Sequence, residues 1–248
     1  MSVDTPEQLE GLRRAGRVVA QTIEVVKAAV APGTTTGELD QIAADHLAQQ
    51  GARSGPILTY GYPGSICISV GDEVVHGIPG ERVLRAGELV TIDVAAELDG
   101  YHADAATTVA VGPATWKQQR LMKATRAALS AGIEAAQPGA TLSEVGAAIE
   151  RAARARDFHV FRELTGHGIG REMHEEPTVF NYAARDAGRR LTNGLVITIE
   201  PMLTAGRPEI VLERDGWTVR SADRSPSCHE EHTIMVAEGG PVVLTAAA

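Results

Sequence analysis

The sequence predicts an α+β fold of two pseudo-two-fold-related halves, each with antiparallel strands covered by helices. Three observations lead there. The segment APGTTTGELDQIAADHLAQQG (31–51) is echoed by QPGATLSEVGAAIERAARARD (137–157), with Pro32 and Pro138 106 residues apart. GELVTID (87–93) is echoed by GLVITIE (194–200) at a separation of 107, and each ends in a carboxylate. GELVTIDVAAELDGYHADAATTVAV holds two strand-like runs around Asp99-Gly100, the pattern of a two-residue hairpin and not of a parallel crossover. A further echo, HGIP (76–79) and HGIG (167–170), is offset by only 91, so the segments around it differ in length. We read the ordered series of helix, HGI and acid-ended strand as an approximate duplication, about 5–112 and 113–245, within one domain spanning 1–248. A repeat of over ~100 residues is far too long for a solenoid.

Taken in order, residues 6–30 and 36–50 have helix-forming composition and amphipathic spacing, and so do 116–136 and 142–156. Strands follow each pair. The uncharged run Ser54–Gly71 carries Pro56, Gly61, Pro63 and Gly64, which exclude a membrane-spanning helix there. The final LTAAA is expected to fray.

Of 248 residues, 44% are hydrophobic and 22% charged, an ordinary balance for a soluble globular chain. A net charge of -9 disfavours a generic nucleic-acid or anionic-membrane binder, which needs clustered Lys and Arg. The first residues carry Asp4, Glu7 and Glu10 and no apolar core, unlike a secretory leader. Cys67 and Cys228 are too few for a disulfide framework or a thiolate metal site and point to a reducing, cytoplasmic setting.

The hairpin permits a geometric test of chemistry. A two-residue Asp99-Gly100 turn places Leu98 opposite Tyr101 and Ala95 opposite Asp104. Asp93 and Asp104 are then diagonal neighbours on one face, with Cβ atoms roughly 5.5–8 Å apart, close enough to share a cation. Without a cation, their repulsion raises one pKa or opens the site. A solvated hairpin end would account for these two alone. Glu200, closing ITIEP, and Glu231, in EEHTIMV, extend the pattern, because strand-embedded acids among β-branched residues need partners.

Four acids and one imidazole make an oxygen-rich set that balances two divalent ions. It suits Mn, Fe or Co and tolerates Zn, and it is neither a thiolate nor a three-histidine zinc site. TGHGIGREMHEEP (165–177) offers the imidazoles His167 and His174. Its glycines lack the G-x-G-x-x-G spacing, and no Walker lysine follows, so the phosphate-loop reading is weak. His46 and His159 read as structural or exposed. His102 shares the face of Asp104. His229 and His232 flank Glu231, and alternation turns only His229 its way; neither is assigned a role.

Together DEVVHGIP, TIDV with DGYHAD, TGHGIG with a later His, ITIEPM and the EH opening the last long strand resemble the type I methionine aminopeptidases. These have the pita-bread fold shared with aminopeptidase P, prolidase and creatinase. The resemblance runs from about residue 5 to 245. It implies Asp93, Asp104, His167, Glu200 and Glu231 as ligands of two divalent ions, with Asp104 and Glu231 bridging. Glu200 would also act as general base on the metal-bound water, yielding the attacking hydroxide, and His76 and His174 would contact the substrate's amide and stabilise the tetrahedral intermediate. The methionine pocket maps onto Tyr62, Cys67, Met202 and Trp217, and onto Met173, where phenylalanine is more usual.

The implied reaction is removal of the initiator methionine from nascent peptides with a small second residue, by a cytoplasmic monomer that could associate with the ribosome and uses no specific nucleic acid or membrane. Glu230, standing where the family usually has an aromatic, is expected to add negative charge beside the metals. X-Pro peptidases usually carry an added N-terminal domain, and type II methionine aminopeptidases a long insertion before ITIEP. The 26 residues between His174 and Glu200 leave no room for that insertion. A non-catalytic binding module of this fold would lose ligands, and all five are present.

Overall fold

The computed structural model describes residues 1–185 and 187–246. In the first half, α1 (Pro6–Ala28) and α2 (Thr36–Gln49) are followed by β1 (Arg53–Ser54), a short α3 (Gly55–Tyr60), β2 (Cys67–Val70), β3 (Glu73–Val75) and the long hairpin β4 (Leu89–Leu98) and β5 (Tyr101–Ala110). Thr5 and Thr35 open the two long helices with capping boxes, which satisfy amide donors that the first helical turn leaves unpaired. The segment read only as too broken to span a membrane contains α3, capped by Ser54 and stopped by Gly61. β4 is the hub of a four-stranded sheet, pairing with β1, β2 and β5, all antiparallel. The hairpin has the expected register, Leu98 opposite Tyr101 and Ala95 opposite Asp104, around a turn with Asp99 and Gly100 at φ 51° and 79°. Both values match the two-residue turn that follows strand twist.

The second half repeats the order of helices before strands. α4 (Trp116–Ala135) and α5 (Leu142–Arg154), capped by Thr115 and Thr141, precede β6 (His159–Val160), β7 (Thr165–Gly168), β8 (Glu175–Phe180), β9 (Val196–Ile199) and β10 (Met202–Thr204). β11 (Ile210–Leu212), β12 (Val219–Ser221), β13 (Ser227–His229), β14 (His232–Met235) and β15 (Val242–Val243) complete the described strands. A five-stranded sheet runs β15-β14-β9-β7-β8; smaller sheets run β13-β10-β6 and β11-β12-β3. The HGI echo is not one of conformation: His76 follows β3 at φ 57°, whereas His167 and Gly168 lie within β7. Nor does the whole C-terminal LTAAA splay away. Leu244 and Thr245 are buried and Thr245 bonds His232 and Thr233, while Ala247 and Ala248 lie outside the described residues.

Each half has its own apolar core. Val19, Leu39, Ile68, Ile92 and Ala105 centre one beneath α1 and α2; Leu121, Ile149, Val179, Ile197 and Ile234 centre the other beneath α4 and α5. Between them β5 lies against residues 229–233. The Ala106 carbonyl accepts from the Glu231 amide at 2.9 Å, and Thr108 Oγ1 donates to the His229 carbonyl and accepts from its amide at 2.8 and 2.9 Å. Thr233 Oγ1 closes the seam, donating to the Asp104 carbonyl at 2.7 Å and accepting from its amide at 2.9 Å. No described helix is long and apolar enough to cross a membrane.

α5 packs so closely on the β8 end that a Cβ on Gly146 would sit 2.2 Å from the Tyr182 carbonyl oxygen and 2.6 Å from that of Phe180. In an exposed helix Gly→Ala stabilises by about 1 kcal/mol. Here the clash with backbone outweighs that gain. Gly146→Ala is expected to destabilise the fold by about 1–3 kcal/mol, measured by denaturant melts; a stabilised variant would show that α5 is free to move off the sheet.

Candidate metal centre

The site lies on the seam, where strand alternation and register decide which side chains meet. Asp93 stands on β4 opposite Cys67 of β2, and Asp104 stands on β5 opposite Ala95, so the two aspartates share a face two residues out of step. Glu231 directly precedes β14, and the hydrogen bond from its amide to the Ala106 carbonyl fixes it beside the Asp104 end of β5. Glu200 directly follows β9, and His167 lies in β7, which pairs with β9. Thr198 ties these last two together. Its Oγ1 donates to Glu200 Oε1 at 2.7 Å and accepts from the His167 amide at 3.0 Å.

The glycines of the 165–177 segment permit this closeness. A Cβ on Gly166 would meet the Thr198 carbonyl oxygen at 2.7 Å, and one on Gly168 the Glu176 carbonyl oxygen at 2.2 Å. They let β7 press against its neighbouring strands and bring His167 Nε2 to 3.7 Å from Glu200 Oε1. His167 Nδ1 lies 2.8 Å from the Gly168 carbonyl, so it donates there, and the Nε2 lone pair faces the acids.

Ligand atoms of Asp104, His167 and Glu231 all lie within 4.8 Å of one another, and so do those of Glu200, His229 and Glu231. Glu231 belongs to both groups. Asp104 and Glu231 are buried, and Asp104 Oδ1 and Glu231 Oε1 have no hydrogen-bond partner. Unpaired buried carboxylate oxygens are costly, and cations among them remove that cost. The donor set therefore fits oxygen-seeking divalent ions.

Electrostatics agree with this. Burial, reinforced by Asp104 and Glu200, holds the Asp93 carboxyl far above the ordinary range, and burial with Asp104 and Glu200 does the same to Glu231. Burial pushes Asp104 up to about 6 and Glu200 up to about 8. His167 goes the other way, to about 3, because burial and then His174 disfavour the imidazolium, leaving a neutral ligand.

Above this floor opens a cavity of about 1010 Å³ lined by every residue expected from the sequence: the four acids and His167, together with His76, His174, Tyr62, Cys67, Met173, Met202 and Trp217. Tyr62 and Trp217 meet edge to face at 5.2 Å, and the Tyr62 hydroxyl donates to the Gly77 carbonyl at 2.7 Å. His76 holds its left-handed backbone at the cavity wall, an uncommon conformation for a non-glycine residue and one found at functional sites. Crowding by the cleft walls pushes His76 and His174 below the usual imidazole value.

Three placements depart from the sequence reading. Glu230 lies outside the cavity lining: in the two-residue link between β13 and β14 it turns away from Glu231, and Arg126 Nε donates to it at 3.0 Å and Thr107 Oγ1 at 3.1 Å. His229, left unassigned, is buried in the cavity wall with Nε2 3.6 Å from Glu231 Oε2. Tyr60, not singled out at all, hydrogen-bonds through its hydroxyl to His174 Nδ1 at 2.7 Å. Period-2 spacing from Glu231 pointed to His229, but nothing in sequence joins Tyr60 to a residue 114 positions away. His232 turns away to Thr245, and His102 stands opposite Glu97, outside the cavity lining.

Protonation of Asp104 and Glu200 favours the metal-free fold, because their folded pKa values are raised. That contribution is complete below about pH 4 and is lost as pH rises through about 6 and about 8. Metal must displace those protons. The rise in melting temperature on adding Mn²⁺ is therefore expected to be larger at pH 8 than at pH 5; a rise independent of pH would contradict this account of the acids.

The model of metallopeptidase family M24 matches residues 10–238. The methionine aminopeptidase of Escherichia coli K12 is 43% identical over 247 residues, covering 99% of this chain and 94% of that protein. Among solved structures, methionine aminopeptidase from Rickettsia prowazekii superposes with a TM-score of 0.95 at 37% identity, covering 99% of this chain and 100% of that one. The enzyme from Thermotoga maritima gives 0.95 at 34% identity, covering 99% of each. With a family match across nearly the whole chain and such identity over full-length relatives, the chain belongs to metallopeptidase family M24 and, within it, to the methionine aminopeptidases.

Proposed function

We propose that the chain removes the initiator methionine from nascent peptides whose second residue is small, as a type I enzyme with two divalent ions held by Asp93, Asp104, His167, Glu200 and Glu231. One observation carries this reading: four carboxylates and an imidazole converge on the floor of a single cavity walled by thioether, thiol and aromatic side chains. Four negative charges balance two divalent ions, and the two donor groups that share Glu231 support its role as a bridge, with Asp104 as the second. When bound, the ions supply an activated water and polarise the scissile carbonyl.

The protein's own groups do the rest. Thr198 orients Glu200, whose carboxylate takes a proton from the attacking water and delivers it to the leaving amine. With the Tyr60 hydroxyl donating to Nδ1, the His174 proton sits on Nε2, where it can donate to the substrate and to negative charge developing on the carbonyl oxygen. His76, in the same cavity lining, also contacts the substrate. Tyr62, Cys67, Met173, Met202 and Trp217 receive the methionine side chain; soft, polarisable Met173 and Met202 suit a flexible thioether. The preference for a small second residue rests on the resemblance to the family. The oxygen-rich set favours Mn, Fe or Co, with Zn accepted, and two buried free cysteines agree with work in a reducing cytoplasm.

Full-length protein loaded in turn with Mn, Co, Fe and Zn should release methionine from Met-Ala-Ser, do so poorly from Met-Leu-Ser, and leave an X-Pro peptide intact. Preferential X-Pro cleavage would reassign the substrate, and inertness with every ion would favour a binding module. Glu200→Gln is expected to lower turnover of Met-Ala-Ser by about 10²–10⁴-fold; wild-type turnover in the metal-loaded variant would remove Glu200 from the chemistry. Tyr60→Phe should lower kcat/KM by roughly 5–10-fold, the value of one hydrogen bond of about 1 kcal/mol. An unchanged kcat/KM would leave His174 without need of Tyr60.

A further inference from the structure

His229 is a buried titratable side chain in the cavity wall that the proposed reaction leaves unused. It ends β13, opposite Met202 of β10, and is 2% exposed. Its backbone is held at both ends of the peptide unit by Thr108, which fixes where the ring is aimed. Among the described residues, neither Nδ1 nor Nε2 has a hydrogen-bond partner. Nε2 lies 3.6 Å from Glu231 Oε2, and donor atoms of Glu200, His229 and Glu231 all fall within 4.8 Å of one another.

We propose that His229 is a sixth metal ligand, giving the cation shared by Glu200 and Glu231 an imidazole in addition to that of His167. The inference rests on the metal reading of the site and extends its donor set. Two donors each about 2.0–2.2 Å from one ion lie at most about 4.4 Å apart, so the 3.6 Å between His229 Nε2 and Glu231 Oε2 is compatible with a shared ion. A hydrogen bond alone does not explain the placement, because 3.6 Å is beyond hydrogen-bond reach. It would also leave the second nitrogen and Glu231 Oε1 unsatisfied. The consequence is a shift in ion preference: an added imidazole favours Fe, Co and Zn over Mn relative to an all-carboxylate site with one histidine.

The test uses the full chain, stripped by chelation and reloaded with one equivalent of Mn²⁺ for pulsed electron paramagnetic resonance, with affinities for Mn²⁺ and Co²⁺ from calorimetry. The ¹⁴N modulation of a bound imidazole is expected to survive in His167→Gln, carried by His229, and to vanish in the double variant His167→Gln/His229→Gln. His229→Gln alone should lose at least about tenfold in Co²⁺ affinity, by analogy with the cost of disturbing a metal site's supporting groups, and lose less for Mn²⁺. Loss of all ¹⁴N modulation in His167→Gln, with Mn²⁺ still bound, would overturn the sixth ligand and leave the five-ligand reading standing. Failure of the unaltered chain to bind either ion would overturn both. If His229→Gln does not fold, the His167→Gln arm decides alone.

Discussion

The arrangement depends on mutual repulsion among four carboxylates held at one place and largely withdrawn from water. Burial is the largest cost of ionising each of Asp93, Asp104, Glu200 and Glu231, and neighbouring acids add to it at Asp93, Glu200 and Glu231. Such a cluster persists only where a rigid scaffold prevents the acids from separating and where cations replace the protons. The metal and the fold are in this sense one problem: the strands that bring the acids together are stabilised by whatever neutralises them.

The scaffold meets that demand at the seam between β5 and residues 229–233. Backbone and threonine hydrogen bonds along it set the stagger of Asp104 against Glu231 to within a residue. A slip of one residue would turn both acids to the opposite face. Thr198 performs the same service between His167 and Glu200. The two apolar cores, one under each helix pair, hold the strands from either side. The cavity therefore sits between two rigid bodies of packing and not within either, which leaves it open to a peptide.

Alternation also explains why neighbouring residues differ in role. Glu230 and Glu231 are adjacent and alike in type, yet one faces Arg126 and Thr107 and the other the cation site. The acid at position 230 is thus accommodated by a basic partner on α4, outside the cavity. Met173 is buried at the cavity wall beside Tyr62 and Met202, a flexible thioether in a wall already rich in soft groups.

Much of this was legible in the chain itself. The Asp99-Gly100 turn fixes hairpin register, and register fixes which side of the sheet Asp93 and Asp104 share, because both follow from local stereochemistry. The four acids and the imidazole, the four long helices and the pocket-lining residues were likewise readable, from spacing or from the motifs together. What the sequence could not determine was every contact between distant segments: Tyr60 with His174, Arg126 with Glu230, the short helix within an apparently irregular run, and the different backbone of the two HGI segments. Local rules of turn and strand act over a few residues, whereas these features arise from packing between segments far apart in the chain, within a half as for Arg126 and Glu230 or across the halves as for Tyr60 and His174. The sequence by itself determined which groups are available to bind metal; only the tertiary structure decided that a sixth, His229, points at them with both nitrogens free.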